Sequence, residues 1–287
     1  MDSDITLYAK WHPTDGIDAK FTVNSSGKRV FFSKGNLWCD TAANPGSSNF
    51  HFEANQYGST PALRGNGSYG TRDDSHISHF LWSRSAAEAV KLNYEDVNVS
   101  VDDILFTNDP GFTVNGLGGW CSLSEDEMTY LLHTRSGSKV GSTDNARYFN
   151  GKIQTDTDAY VNGFFIIPDV FTWPQSAVAT LPVGINGSAS FNSNTYSLTQ
   201  FAALQEAGIV FLPTAGMRMG SNTDSPASVK YLNENGIYWS STSDSSDAGK
   251  ARCLGAGGVV TPTLFSYEKY YGFPIRLVME VKVNTSK

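Results

Sequence analysis

Apolar and polar positions alternate along the chain in short runs, and turn-forming residues separate the runs. Phe21 and Val23 precede Asn-Ser-Ser-Gly at 24–27, and Val30, Phe31 and Phe32 follow, which predicts two strands joined by a tight turn. Residues 5–11, ITLYAKW, read as a further strand, and HPTDG at 12–16 supplies Pro, Asp and Gly to end it. Helical spacing enters at two places. Ser124 with Glu127 is a capping-box pair, and Met128, Leu131 and Leu132 recur at helical intervals, which predicts a helix over about 125–134. Ser197 and Gln200 stand in the same relation, Phe201 and Leu204 share a face, and Gly208 is placed to stop a second helix. A third helix is expected at 85–92. The runs GFFIIPD (163–169) and GIVFLPTAG (208–216) read as buried strands, each stopped by a proline that cannot donate to a ladder.

GIYWSST (236–242), ARCLGAGGVV (251–260) and FPIRLVMEV (273–281) add three more strands. The pattern as a whole predicts an α+β chain, with two or three helices against mixed, mostly antiparallel sheets. From about 38 to 80 the chain is rich in Asn, Ser, Gly and Tyr without periodicity. Trp38, Phe50, Phe52, Tyr57, Tyr69, Phe80 and Trp82 are scattered through and just beyond this stretch, and so many aromatics favour long ordered loops over disorder.

Composition adds a setting. In 287 residues only 17% are charged, and Ser, Thr and Asn, together with 27 Gly, take positions that Lys and Glu fill in a cytosolic protein. That balance points to an extracellular, loop-rich protein. A net charge of −7 argues against nucleic acid as a partner, because phosphate binding needs clustered Lys and Arg. No apolar run is long enough to span a bilayer, so no direct membrane insertion is expected, and the start MDSDITLYAKW has no signal-peptide pattern, so an export signal is expected outside this chain.

Chemistry-bearing residues are sparse. Cys39, Cys121 and Cys253 lie far apart with no metal-ligand spacing, allow at most one disulfide, and read as small buried hydrophobes. His76 and His79, three apart after Asp73 and Asp74, form the one histidine cluster; without further ligands they read as solvated loop residues. No cofactor is expected, although the loops NTDSPA (222–227) and TDTDAY (155–160) hold residue types suited to a structural calcium. The clearest functional signal lies near the C-terminus, where SSTSDSSDAGKARCL (240–254) and PTLFSYEKYYGF (262–273) combine Tyr with Ser and Asp. That is the chemistry of a binding surface: Tyr offers a large contact area at low entropic cost.

Five ordered motifs, RVFFSKGNL (29–37), LSEDEMTYLLHTR (123–135), IVFLPTAGMR (209–218), GIYWSST (236–242) and GFPIRLV (272–278), resemble a family of large gut-bacterial surface proteins. Their shared domain has the C-type-lectin-like fold in its formylglycine-generating-enzyme, or sulfatase-modifying-factor, variety. In that family the stretch between the YWSST and RLV motifs is the displayed binding region, and in some members retroelements diversify it. The resemblance implies a ligand-binding or adhesive, non-catalytic domain at the cell surface, with a protein or glycan as partner. It places Ser243, Asp244, Ser246, Asp247, Lys250, Arg252, Tyr267, Lys269, Tyr270 and Tyr271 on the ligand face. Tyr238, Trp239 and Arg276 become framework, with Arg276 held by a carboxylate or by carbonyls. Arg252, Cys253 and the GAGG run at 255–258 depart from the aromatic-rich strand usual there.

ITLYAKW resembles the last strand of the internalin-type β-grasp repeats strung along bacterial surface proteins. The expected organisation is a truncated β-grasp strand at 1–12, a linker at 13–19, the C-type-lectin-like domain at 20–283 and a tail at 284–287. Two alternatives share this fold: a formylglycine-generating-type oxidative enzyme, and the receptor-binding tip of a pilus or phage fibre. The enzyme would need a reactive cysteine pair or a histidine-rich iron site, whereas Cys253 stands alone in the C-terminal region and no histidine follows His133.

Overall fold

A computed structural model describes residues 12–40, 49–58, 76–82, 112–157, 159–219, 228–257 and 261–282. The expected strand at 5–11, the helix at 85–92, the loop 222–227 and the tail 284–287 lie outside these described residues.

The hairpin forms where the alternation places it. Phe21 pairs with Val30 and Thr22 with Arg29, and the turn between them uses Gly27 at φ +82° and an Asn24 side chain that accepts from the Lys28 amide at 2.9 Å. This hairpin opens a four-stranded sheet ordered Phe21–Thr22, Arg29–Phe32, Val278–Glu280, Trp120–Cys121, so the two ends of the described chain meet in one ladder. Residues 13–19, expected as a linker, are packed onto it: the Ile17 amide donates to the Phe32 carbonyl at 2.8 Å and Ile17 is buried.

A second sheet runs Thr195–Ser197, Tyr148–Gln154, Tyr160–Ile166, Val210–Pro213, its first pair parallel and the others antiparallel. Its two-residue period divides the apolar runs between two cores. Phe149, Phe165 and Phe211 face a cluster with Trp173, Tyr196, Phe201 and Leu204; Tyr148, Phe164, Ile166, Val210 and Leu212 face the opposite one. Gly163 is required where it stands, because a Cβ there would come within 2.3 Å of the Phe211 ring.

Both capping boxes are present. Helix α1 (Glu125–Thr129) starts at Ser124 with the reciprocal Ser124 and Glu127 bonds, and helix α2 (Leu198–Glu206) does the same with Ser197 and Gln200, ending before Gly208 at φ +95°. Beyond Thr129 the first helix widens into a π-helical turn, Tyr130–Thr134, which fills the expected span; Arg135 Nε donates to the Leu131 carbonyl at 2.7 Å.

Smaller sheets complete the molecule: Phe50–Phe52, Leu37–Asp40 and His76–Ile77 in that order; Ser138–Val140 with Thr143–Ala146; Met217–Met219 with Ser228–Lys230; and Asn235–Ser243, Lys250–Gly257 and Thr263–Glu268. Of the run 273–281, only Val278–Glu280 is a ladder strand; Ile275 and Leu277 instead lend their carbonyls to the Leu37 and Ser33 amides. The described residues are thus mostly β, in several largely antiparallel sheets with two helices, consistent with an α+β class. Among them, no helix is long and apolar enough to cross a membrane.

Candidate binding face

Of the residues expected at the ligand face, Ser243, Lys250, Arg252 and Tyr267 lie in the C-terminal three-stranded sheet, Asp244, Ser246 and Asp247 in the turn between its first two strands, and Lys269, Tyr270 and Tyr271 just after its last. Its register pairs Lys250 with Glu268, Ala251 with Tyr267, Arg252 with Ser266 and Cys253 with Phe265. Side chains alternate between faces, so this register separates the expected site into two groups that do not share a surface. Ala251, Cys253, Phe265 and Tyr267 belong to the core cluster around Trp239 and Phe273. Lys250, Arg252, Ser266 and Glu268 point the other way, where Arg252 meets helix α1.

On the α1 side the polar residues form one hydrogen-bonded chain. Arg252 Nε donates to Glu125 Oε1 at 2.8 Å, its second terminal nitrogen lies 2.5 Å from the same oxygen, and Nη1 donates to Ser266 Oγ at 2.8 Å. Ser266 in turn donates to Asp244, which also accepts from the Ser246 amide at 2.7 Å and the Ser246 hydroxyl at 2.6 Å. These bonds, from Ser246 foremost and then Ser266, stabilise the carboxylate and hold the Asp244 pKa well below the ordinary range. Asp247 accepts from the Gly249 amide at 2.9 Å and lies 3.5 Å from Lys250 Nζ, which is 4.0 Å from Glu268. The 244–249 turn is therefore exposed yet fixed by its own side chains. Ser243, at its root, has a buried hydroxyl without a partner.

The tyrosines gather on the other side. Tyr267 meets Tyr271 edge-on at 4.8 Å and Phe273 at 5.2 Å, Tyr270 lies tilted against Tyr271 at 4.8 Å, and Tyr271 stacks parallel to Phe273. Burial first, then the neighbouring Tyr271 and Glu268, raises the Tyr267 pKa. Tyr270 is 36% exposed. Lys269 does not belong to this surface. It is fully buried, its Nζ lies 4.3 Å from the Trp82 ring centroid, and its backbone bonds Gly249 and Trp82. Contrary to the expectation that put it on the ligand face, Lys269 continues the inward parity of Phe265 and Tyr267.

The expected framework residues are buried. The Tyr238 hydroxyl donates to the Pro213 carbonyl at 2.8 Å, and Trp239 Nε1 donates to the Phe80 carbonyl at 2.9 Å. Arg276 is held by carbonyls, donating to Ser33 at 3.0 Å, Phe211 at 2.7 Å and Gln56 at 3.4 Å, and burial lowers its pKa to about 10.

One aromatic was missed. Tyr231, 47% exposed, sits at φ +57° just after the strand Ser228–Lys230. Nothing local in KYLNEN marks it, because the left-handed backbone comes from tertiary contacts.

His76 and His79, expected as solvated loop residues, are instead packed into the structure. His79 is buried and donates Nε2–H to the Ala215 carbonyl at 2.8 Å, and burial pushes its pKa down to about 4. His76 lies 2.8 Å from Glu53 and stacks on Trp38 at 4.1 Å, with His51 beside Trp38 at 4.7 Å. Among the described residues no three His, Cys, Asp or Glu side chains converge as a metal site requires. In the 155–160 loop Asp156 accepts from the Thr157 amide at 2.7 Å. The three cysteines are free thiols; Cys39 and Cys253 are buried.

No protein-family model, curated protein or solved structure matches the chain.

Proposed function

We propose that this chain is a non-catalytic ligand-binding or adhesion domain of an extracellular, cell-surface protein, with a C-type-lectin-like fold of the formylglycine-generating-enzyme variety. The observation that carries the reading is the tyrosine cluster: Tyr270 is held at the surface against Tyr271, which rests on the buried Phe273. Rigid aromatic anchors over a fixed base supply contact area with little ordering cost, and such residues dominate interface energies. The exposed 244–249 turn, fixed by Asp244 and Asp247, adds hydrogen-bonding groups on the other side of the same sheet.

An oxidative thiol enzyme draws no support from Cys253. Its thiol is fully buried, donates to the Phe265 carbonyl at 3.4 Å, and is pushed by burial far from the thiolate form that reacts. Low charge density and a Ser-, Thr- and Asn-rich surface support an extracellular setting.

Replacing Tyr270 and Tyr271 together with Ala tests the reading on arrays of folded proteins and of glycans. Binding of wild-type hits is expected to weaken by about 2 kcal/mol or more while cooperative unfolding is retained. Undiminished binding in a folded double variant would remove these tyrosines from the site.

A further inference from the structure

We propose that a cavity beside helix α1 binds one small monovalent anion, chloride foremost, against the buried Arg276 guanidinium. This site is separate from the tyrosine surface and does not depend on the binding reading. The cavity measures about 20 Å³, room for one water-sized body. Its walls come from distant parts of the chain: Leu131 and Leu132 from the π-helical turn, Leu212 from the second sheet and Leu254 from the C-terminal sheet.

Tyr238, Trp239 and Arg276 are the polar side chains of the lining, and the first two are committed. Trp239 Nε1 donates to the Phe80 carbonyl; the Tyr238 hydroxyl donates to the Pro213 carbonyl and accepts from Asn36 Nδ2 at 3.2 Å. The Arg276 terminal nitrogens donate to the Ser33, Phe211 and Gln56 carbonyls, but its Nε is buried with no hydrogen-bond partner. A buried donor left unmade carries its full desolvation cost, and the cost is larger on a charged group.

Charge makes the same demand. Burial lowers the Arg276 pKa to about 10, so the guanidinium stays protonated at neutral pH, and each of its hydrogen bonds ends on a carbonyl rather than a carboxylate. Glu53, the carboxylate whose charge reaches it, is engaged with His76 at 2.8 Å. A guanidinium taken out of water calls for a counter-charge. Water answers this poorly, because a buried water takes about two to four polar partners and the lining side chains leave Nε alone uncommitted. A monatomic anion needs donors only, accepts from Nε–H and neutralises the cation. The size of the cavity excludes sulfate, phosphate and carboxylates.

The test follows thermal unfolding in sodium chloride, sodium bromide and sodium gluconate at matched ionic strength, gluconate being too large to enter. An anion that binds only the folded chain raises the midpoint and then saturates. At about ten times its dissociation constant the folded-to-unfolded ratio gains about elevenfold, a rise of about 2 °C. Leu131→Phe, which fills the void, is expected to lower the midpoint in every salt and to lose the saturable response. Crystals grown in bromide give a second readout: an anomalous peak is expected in the cavity within hydrogen-bond reach of Arg276 Nε. Should Leu131→Phe not fold, that peak in wild type decides the matter. No saturable chloride or bromide response in wild type, or the same response in Leu131→Phe, would overturn the proposal. So would bromide crystals in which the cavity holds water or stands empty.

Discussion

His79 shows what burial does to a single titratable group. Its Nε2–H is committed to the Ala215 carbonyl, its Nδ1 accepts from Ser78 at 3.1 Å, and burial, with the Arg218 charge nearby, holds it neutral down to about pH 4. The unfolded chain takes up that proton near the ordinary 6.5, so the unfolded state binds more protons between these values and stability falls as pH drops through the window. Roughly 2 to 3 kcal/mol should be lost between pH 6.5 and 4. Urea unfolding at pH 7, 5.5 and 4.5 is expected to show this slope in wild type and a flatter one in His79→Gln, which keeps the donor. Asp244, with its pKa lowered, acts at lower pH: its contribution is present above the usual carboxylate range and lost below it. Lys269 makes the companion point. Its burial was legible from parity with Phe265 and Tyr267, but only once the strand was known to continue through them. Tyr231 was not legible at all, since its turn is held through Asn233 by the distant Asn162 and is approached by the distant Gly216.

At the scale of elements, the two capping boxes were readable because four residues suffice to specify each. The π-helical widening of 130–134 was not, since it depends on Arg135 folding back onto Leu131 and reaching Asp169 at 2.8 Å. The acidic first turn of α1, Glu125 to Glu127, complements the helix dipole. Glu125 has a second use, anchoring Arg252 and with it the strand pair below the 244–249 turn. Arg252→Ala is expected to cost about 1 kcal/mol, given that the pair is partly solvent-screened, and to speed hydrogen exchange at the Ser246 and Gly249 amides, whose acceptors Asp244 and Asp247 sit on that turn. Ser124→Ala should cost a similar ~1 kcal/mol through loss of the cap, with those amides unchanged. Equal exchange in the two variants would break the link between helix and turn.

Across the whole molecule, the strand Val278–Glu280 sits between Arg29–Phe32 and Trp120–Cys121, closing a sheet from segments about 250 residues apart. Truncation after Leu277 removes Val278 from the core and leaves two strands with open edges. The expected result is loss of a cooperative thermal transition, checked by calorimetry. The sequence by itself determined the hairpin, both capped helices, the existence of buried strands within the runs 163–169 and 208–216, and the tyrosine-rich C-terminal stretch, because local spacing and turn chemistry set these. The tertiary structure decided which of those C-terminal residues share a face. Strand register sent Tyr267 and Arg252 to opposite sides, and the chain beyond the strand buried Lys269 on Trp82. A side chain's face depends on its cross-strand partner, and that partner is chosen by the whole fold.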